Sequence, residues 1–254
     1  MSRLVWDETG ERKYETGADH GVLYVAKRRV TDPADPYEEG VPWNGLTAVS
    51  ESGSGGEPSP LWADNIKYLN LISAEECSFS IEAYTYPYEF SECDGSKEIF
   101  PGVPGVLVAQ QVRRMFGFCY RTIVGNDVKN NEYGSKLHLV YGCYASPSDK
   151  SYATTSDSPD AITFSWSVTT TPVTVDGYKP TATLMIDSTR CNPFIFKRLE
   201  DILYGSSTLQ SHLPLPAEVV SVFQDDYWYL EDSNGNSITD SNGDEIVAIG
   251  YLDD

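Results

Sequence analysis

The side chains able to do chemistry are few and scattered. The three histidines, His20, His138 and His212, lie far apart in the chain. His138 alternates with Leu137 and Leu139, a pattern that predicts a solvated or interfacial ring, and His20 and His212 fall in loop-like segments beside Gly21 and Leu213-Pro214. Three isolated histidines without a spaced carboxylate partner do not define a metal centre. The five cysteines, Cys77, Cys93, Cys119, Cys143 and Cys191, are odd in number and contain no CxxC pair, so buried free thiols are expected rather than a disulfide framework or a zinc knuckle. No GxSxG elbow, HExxH pair or GxxxxGK phosphate loop occurs. Gly53, Gly55 and Gly56 are followed by Pro58 and Pro60 instead of a helix, which excludes a dinucleotide cradle. With 38 acidic residues some carboxylate pair will always look suited to glycoside hydrolysis, so that pattern discriminates little.

One repeat invites a metal reading. Asp232, Asn234 and Asn236 have the alternating oxygen spacing of a calcium loop, and the Asp-Ser-Asn-Gly run recurs at Asp240–Gly243. An EF-hand needs glycine at the sixth position and glutamate at the twelfth, where Ser237 and Gly243 stand. Each Asn-Gly is instead a hairpin-turn signal between aromatic and apolar runs, Tyr227–Leu230 and Ile246–Ile249. The sequence therefore assigns no catalytic residue, no cofactor site and no metal site, and the expected class is a non-enzymatic protein.

The elements that would position any site read as β. Phe79, Ile81 and Ala83 alternate with polar neighbours in 77–84, as do Ile162, Phe164, Trp166 and Val168 in 161–169. Leu137, Leu139, Tyr141 and Cys143 share one face of 136–145, and Ala182, Leu184 and Ile186 do the same further on. Period-two patterning predicts antiparallel strands in a sandwich or barrel. Val22–Ala26 reads as a short first strand after a polar N-terminal arm. Residues 30–60, opened by Asp32-Pro33 and closed by Ser52–Pro60, read as a long irregular loop. One helix is expected over about 192–204, with Asn192 as N-cap, Pro193 at the first turn, Gly205 at the end, Ile195, Leu199, Ile202 and Leu203 on one face, and Lys197 paired with Asp201. The fold class is thus mainly β (α+β), an antiparallel sandwich or barrel.

The chain divides into a main domain over 1–217 and an acidic extension over 218–254 that reads as a β-hairpin. Between Asp225 and Asp254 there are nine acidic residues and no Lys or Arg, nearly half of the net charge of −20. That charge argues against gripping nucleic acid. No segment approaches the ~20 apolar residues of a membrane span, and the acidic N-terminus lacks a signal core, which predicts a protein made and kept in a cytoplasm. The 17 tyrosines outnumber the 9 phenylalanines and 5 tryptophans together and suit sheets and interfaces. Trp43, Trp62, Trp166 and Trp228 also leave open a carbohydrate- or receptor-binding β-module of a virion, with a glycosidase-like enzyme third.

Ordered blocks through most of the chain resemble the major tail proteins of long-tailed bacteriophages and prophages. They are Trp6–Arg12, Tyr14–Gly17 and Gly21–Tyr24; then Trp43–Ser52, Ala63–Tyr68, Ile81–Pro87 and Phe116–Thr122; and finally Gly125–Asp127, Lys136–Gly142, Ser156–Thr163 and Ile186–Thr189. The likeness covers roughly residues 6–217, and the tail after Val222 departs from it. It implies a structural virion protein of the tail-tube type, assembled in the host bacterial cytoplasm. Hexameric rings of such subunits stack into the conduit for DNA ejection. The implied partners are other copies of the chain, the tape measure, tail terminator and baseplate or distal tail proteins. DNA would pass through the lumen without sequence-specific binding, along an acidic wall that repels phosphate. The 30–60 segment and the N-terminal arm are the expected ring-to-ring bridges.

Overall fold

A computed structural model describes residues 6, 8–72, 75–99, 105–148, 150–152, 154, 161–225, 228–229 and 247–248. Its centre is one antiparallel sheet of eight strands: β1 Lys13–Val25, β2 Val41–Trp43, β3 Leu46–Gly55, β6 Glu75–Ala83, β9 Phe116–Asn126, β10 Asn130–Ala145, β11 Phe164–Thr170 and β12 Thr183–Asp187. The strand order is β2-β1-β9-β10-β11-β6-β3, with β12 beside residues 136–140 in the middle of β10. Smaller pairs join β4 Pro58–Ala63 to β5 Ile66–Ile72, β7 Lys97–Glu98 to β8 Leu107–Val108, and β13 Trp228–Tyr229 to β14 Val247–Ala248. Among the described residues there are three helices: α1 Phe90–Cys93, α2 Pro193–Tyr204 and α3 Pro216–Asp225. The protein is mainly β.

β2 and β3 stand at opposite ends of the strand order, yet only Asn44 and Gly45 separate them in the chain. Two residues cannot span a flat seven-strand sheet at about 4.8 Å per strand, so the sheet must curl until its ends meet. The contact is close. A Cβ on Gly21 of β1 would come within 2.3 Å of Leu46 Cδ1 on β3. Trp43 fills the corner against Phe90, Phe118 and Trp166 at ring separations of 4.6, 5.7 and 5.5 Å, and its indole N–H donates to the Thr85 carbonyl.

The central strands are buried on both faces. Leu23, Val25, Phe116, Phe118 and Val140 point into the curl with Phe79, Ile81, Trp166 and Val168. Val22, Tyr24, Cys119, Leu137, Leu139 and Tyr141 point outward and are covered by Ile195, Leu199, Ile202 and Leu203 of α2 and by Val219 and Val222 of α3. The last carbonyls of a helix have no partner within it. Here Tyr24 donates its hydroxyl to the Leu203 carbonyl at 2.6 Å, and the His212 amide donates to Ile202 at 3.0 Å. At its other end α2 has the expected cap, the Asn192 side chain accepting from the Phe194 amide, and Lys197 pairs with Asp201.

Several expectations are corrected. The polar arm before Val22 is the outer half of β1, paired with β9 from Lys13↔Asn126 to Asp19↔Arg121. Residues 30–60 are not an irregular loop, because β2, β3 and β4 occupy much of that stretch and the Gly/Ser run 52–55 pairs with β6 through its backbone. α2 is not the one helix: α3 begins at Pro216, so a boundary at 217/218 falls inside a helix whose Val219 and Val222 are core residues. Cys143 does not share the face of Leu137, Leu139 and Tyr141. The register shifts between Val140 and Cys143, and Cys143 joins the interior of the curl. The cysteines are free, with Cys93, Cys119 and Cys143 buried. Beyond α3, the Asn-Gly turns and the calcium-like spacing at Asp232, Asn234 and Asn236 lie outside the described residues.

The shift in β10 turns on Gly142, which has a φ of +60° and would place a Cβ 2.3 Å from the Thr171 carbonyl oxygen. Its N–H donates to the buried Tyr37 hydroxyl at 3.0 Å. Gly142→Ala combines a left-handed backbone with a backbone clash and should cost at least about 2 kcal/mol. Urea denaturation should show this as a lower midpoint with an unchanged m value.

Candidate interaction surface

β3 and β6 pair from Leu46↔Ala83 to Gly55↔Glu75, and β4 and β5 take up the pairing again at Pro58↔Ile72. The four strands thus form one ribbon whose outer part stands away from the sheet. Asp64 and Asn65 make the tip with φ of +52° and +62°, the two positive values that a tight two-residue hairpin needs and that Asp and Asn tolerate. Seven residues at about 3.3 Å each carry the tip roughly 20 Å outward. Every residue of β4 and β5 is exposed.

The composition of this arm is unlike that of an exposed surface. Trp62, Ile66, Tyr68 and Ile72 each keep 64–70% of their area in contact with water, and Leu61, Leu69 and Leu71 are exposed beside them. Leu61 lies opposite Leu69, so one face of the arm carries leucines, while Trp62 and Lys67 oppose each other on the other face. From Pro58 to Ile72 the only charges are Asp64 and Lys67. A two-stranded hairpin with no sheet on either face is marginal in water, and a contiguous apolar surface of this kind marks an interaction site. The candidate bridges read from the sequence were 30–60 and the N-terminal arm, and the exposed hairpin overlaps only the end of the first, at Pro58–Pro60. The signal for the arm was Asp64-Asn65 between Leu61-Trp62 and Ile66–Ile72, two apolar runs joined by a turn pair.

The tryptophans separate by position. Trp43 and Trp166 are core residues at 3% and 0% exposure, which removes them from any sugar platform, whereas Trp62 stands on the arm. The histidines do not come together. His138 is half-buried in the seam between β3 and β10, stacked on Tyr120 with centroids 4.5 Å apart and its Nδ1 3.8 Å from Glu51 Oε1. Tyr120 donates to the same carboxylate at 2.5 Å. Burial lowers the His138 pKa and Glu51 opposes this only in part. His20 adjoins Asp19, which Arg121 holds by two 2.9 Å bonds, at the rim of a cavity of about 520 Å³ lined also by Trp43, Leu203 and Tyr204. His212 Nε2 lies 2.7 Å from Glu218 Oε1 on α3. Among the described residues no group of three or more His, Cys, Asp or Glu side chains could hold a metal ion. Nor is any helix there long and apolar enough to cross a membrane.

No protein-family model matches this chain, and no curated protein matches it in sequence. The surface itself carries the functional reading.

The hydrogen bond to Glu218 raises the His212 pKa above its ordinary value, with burial acting against it. A raised histidine contributes stability below its unfolded pKa of about 6.5 and loses it as pH climbs through the folded value. Glu218→Gln should therefore cost the most near pH 5.5–6, about 0.5–1 kcal/mol for this partly exposed pair. The cost should shrink towards pH 9, as read from urea midpoints across that range. The lowered His138 has the opposite sign: its contribution is present above pH 6.5 and fades as pH falls through its folded value.

Proposed function

We propose that the chain is a structural, non-enzymatic subunit that assembles with copies of itself, as the major tail-tube protein of a long-tailed phage does. The observation that carries this reading is the arm: a net-neutral β-ribbon whose residues are all exposed and mostly apolar, held out from a sheet with a buried core on each face. Its neutrality matters on a chain of net charge −20, because a second acidic copy can approach there without strong repulsion. An arm that inserts into a different surface of the next copy makes a head-to-tail contact, and such contacts close into rings or run on as a filament. The curled antiparallel sheet with its flanking helices suits the barrel-like module of a tail tube. Two of the blocks that resemble that family, Trp43–Ser52 and Ala63–Tyr68, fall on the closing corner with β3 and on the arm.

In this reading the rings are hexameric and stack into the ejection conduit in the virion tail. Their ends meet the tape measure, tail terminator and baseplate proteins, and DNA passes through without sequence-specific contact. The lumen's acidity comes from the eleven net charges that remain when the nine acidic residues of 225–254 are set aside. The sugar-binding alternative is weaker for a physical reason: of its four candidate tryptophans Trp43 and Trp166 are enclosed, and Trp62 sits on a narrow arm and not in a cleft.

Deleting Val41–Pro60 would be a poor test, since it removes β2, β3 and Trp43 from the core. Replacing residues 56–74 by Asn-Gly instead closes a tight turn between the paired Gly55 and Glu75. Sedimentation velocity and negative-stain microscopy should show rings and tubes for the intact chain. The shortened chain should keep its melting temperature and form no tubes. Tubes from the shortened chain would remove the arm from the assembly, and an intact chain that stays monomeric would overturn self-assembly altogether.

A further inference from the structure

We infer that the arm joins a second copy through one edge only, that of β5, and that Pro58 and Pro60 close the edge of β4; this rests on the self-assembly reading. Opposed residues in an antiparallel pair alternate between those that exchange two backbone hydrogen bonds and those whose N–H and C=O point away from the partner. Pro58 lies opposite Ile72 and Pro60 opposite Asn70. Proline has no N–H, so neither can belong to a bonded pair, and the bonded pairs are Ser59–Leu71 and Leu61–Leu69. The backbone groups of Pro58, Pro60, Asn70 and Ile72 therefore all face outward from the arm.

The two edges are not equivalent. On β4, behind the stretch Leu69–Ile72, the outward donors at positions 58 and 60 are missing and pyrrolidine rings occupy their places, a known way of blocking strand addition. On β5 the outward N–H and C=O of Asn70 and Ile72 are intact, and the strand contains neither proline nor glycine. Nearer the tip the register shifts between Leu61 and Trp62, leaving Tyr68 without an opposite residue, and Lys67 follows. A bulge and a lysine both discourage pairing. The open stretch is thus Leu69–Ile72, four residues presenting two outward peptide pairs and the side chains of Leu69, Leu71 and Ile72. Such an edge is completed by a strand from another chain. The neutral charge of Pro58–Ile72 favours a second copy of this acidic chain as its source. One open and one closed edge let each arm accept a single strand, so pairing cannot spread from arm to arm into an unlimited sheet.

Residue-resolved hydrogen exchange on the intact chain tests this without mutation. The Asn70 and Ile72 amides should exchange at least tenfold more slowly in assemblies than in dissociated subunits, and equal rates would overturn the inference. Asn70→Pro puts a second proline opposite Pro60, where it leaves the β4–β5 bonds intact and removes one outward donor. It should abolish assembly with an unchanged melting temperature, while Asn70→Thr assembles normally. Assembly by Asn70→Pro at the wild-type concentration would sink the edge while leaving self-assembly standing. Loss of assembly in Asn70→Thr as well would assign the contact to the side chain instead. An intact chain that never assembles removes both readings. Pro58→Thr with Pro60→Thr should open the second edge and give laterally bundled, thioflavin-positive aggregates; unbundled assemblies from this variant would refute the blocking role.

Discussion

Two residues, Asn44 and Gly45, join strands that lie at opposite ends of the sheet, and most of the architecture follows from that short connection. It forces the sheet to curl, which creates an inside for Trp43, Phe118 and Trp166 and an outside that only helices can cover. It also fixes β3 at the end of the strand order with β6 as its partner. Because that pair runs on past the sheet, the ribbon has nowhere to go but outward, and β4 and β5 emerge as an arm. The corner is held by aromatic packing and one indole hydrogen bond, with Gly21 leaving room for Leu46 where the ends meet.

The arm inverts the logic of the core. Apolar area is worth about 25 cal/mol per Å² when removed from water, and the curl and the helices take that gain within the subunit. On β4 and β5 the same kind of side chain is left exposed, so its burial becomes available only between molecules. In the proposed assembly the arm would add little to the stability of one copy and much to the association of several. The histidines have a local role. His212 ties the loop before α3 to Glu218, and His138 is stacked in the seam beside Tyr120 and Glu51.

What the sequence made legible was whatever alternates cleanly between core and water. Phe79, Ile81 and Ala83 in β6, Trp166 and Val168 in β11, and the Asn192-capped α2 all declare themselves. Strands whose outward positions are polar or small did not. The outer half of β1 is held by backbone pairing to β9, and 52–55 in β3 by pairing to β6, neither of which leaves a hydrophobic trace. Cys143 was placed on the wrong face because a single positive-φ glycine shifts the register, and no periodicity reveals it. Trp43 reads as a surface aromatic until the corner that buries it is known. Nothing in one chain says which apolar runs meet another molecule, since Leu69 and Leu71 look like core residues until the fold leaves them outside.

Electron cryomicroscopy of the assembled chain tests the central claim most directly. The account predicts each β4–β5 arm to be ordered against a neighbouring subunit, with Leu69 and Leu71 buried and a neighbour's strand lying along β5. Arms that project freely into solvent from an assembly held together elsewhere would contradict it.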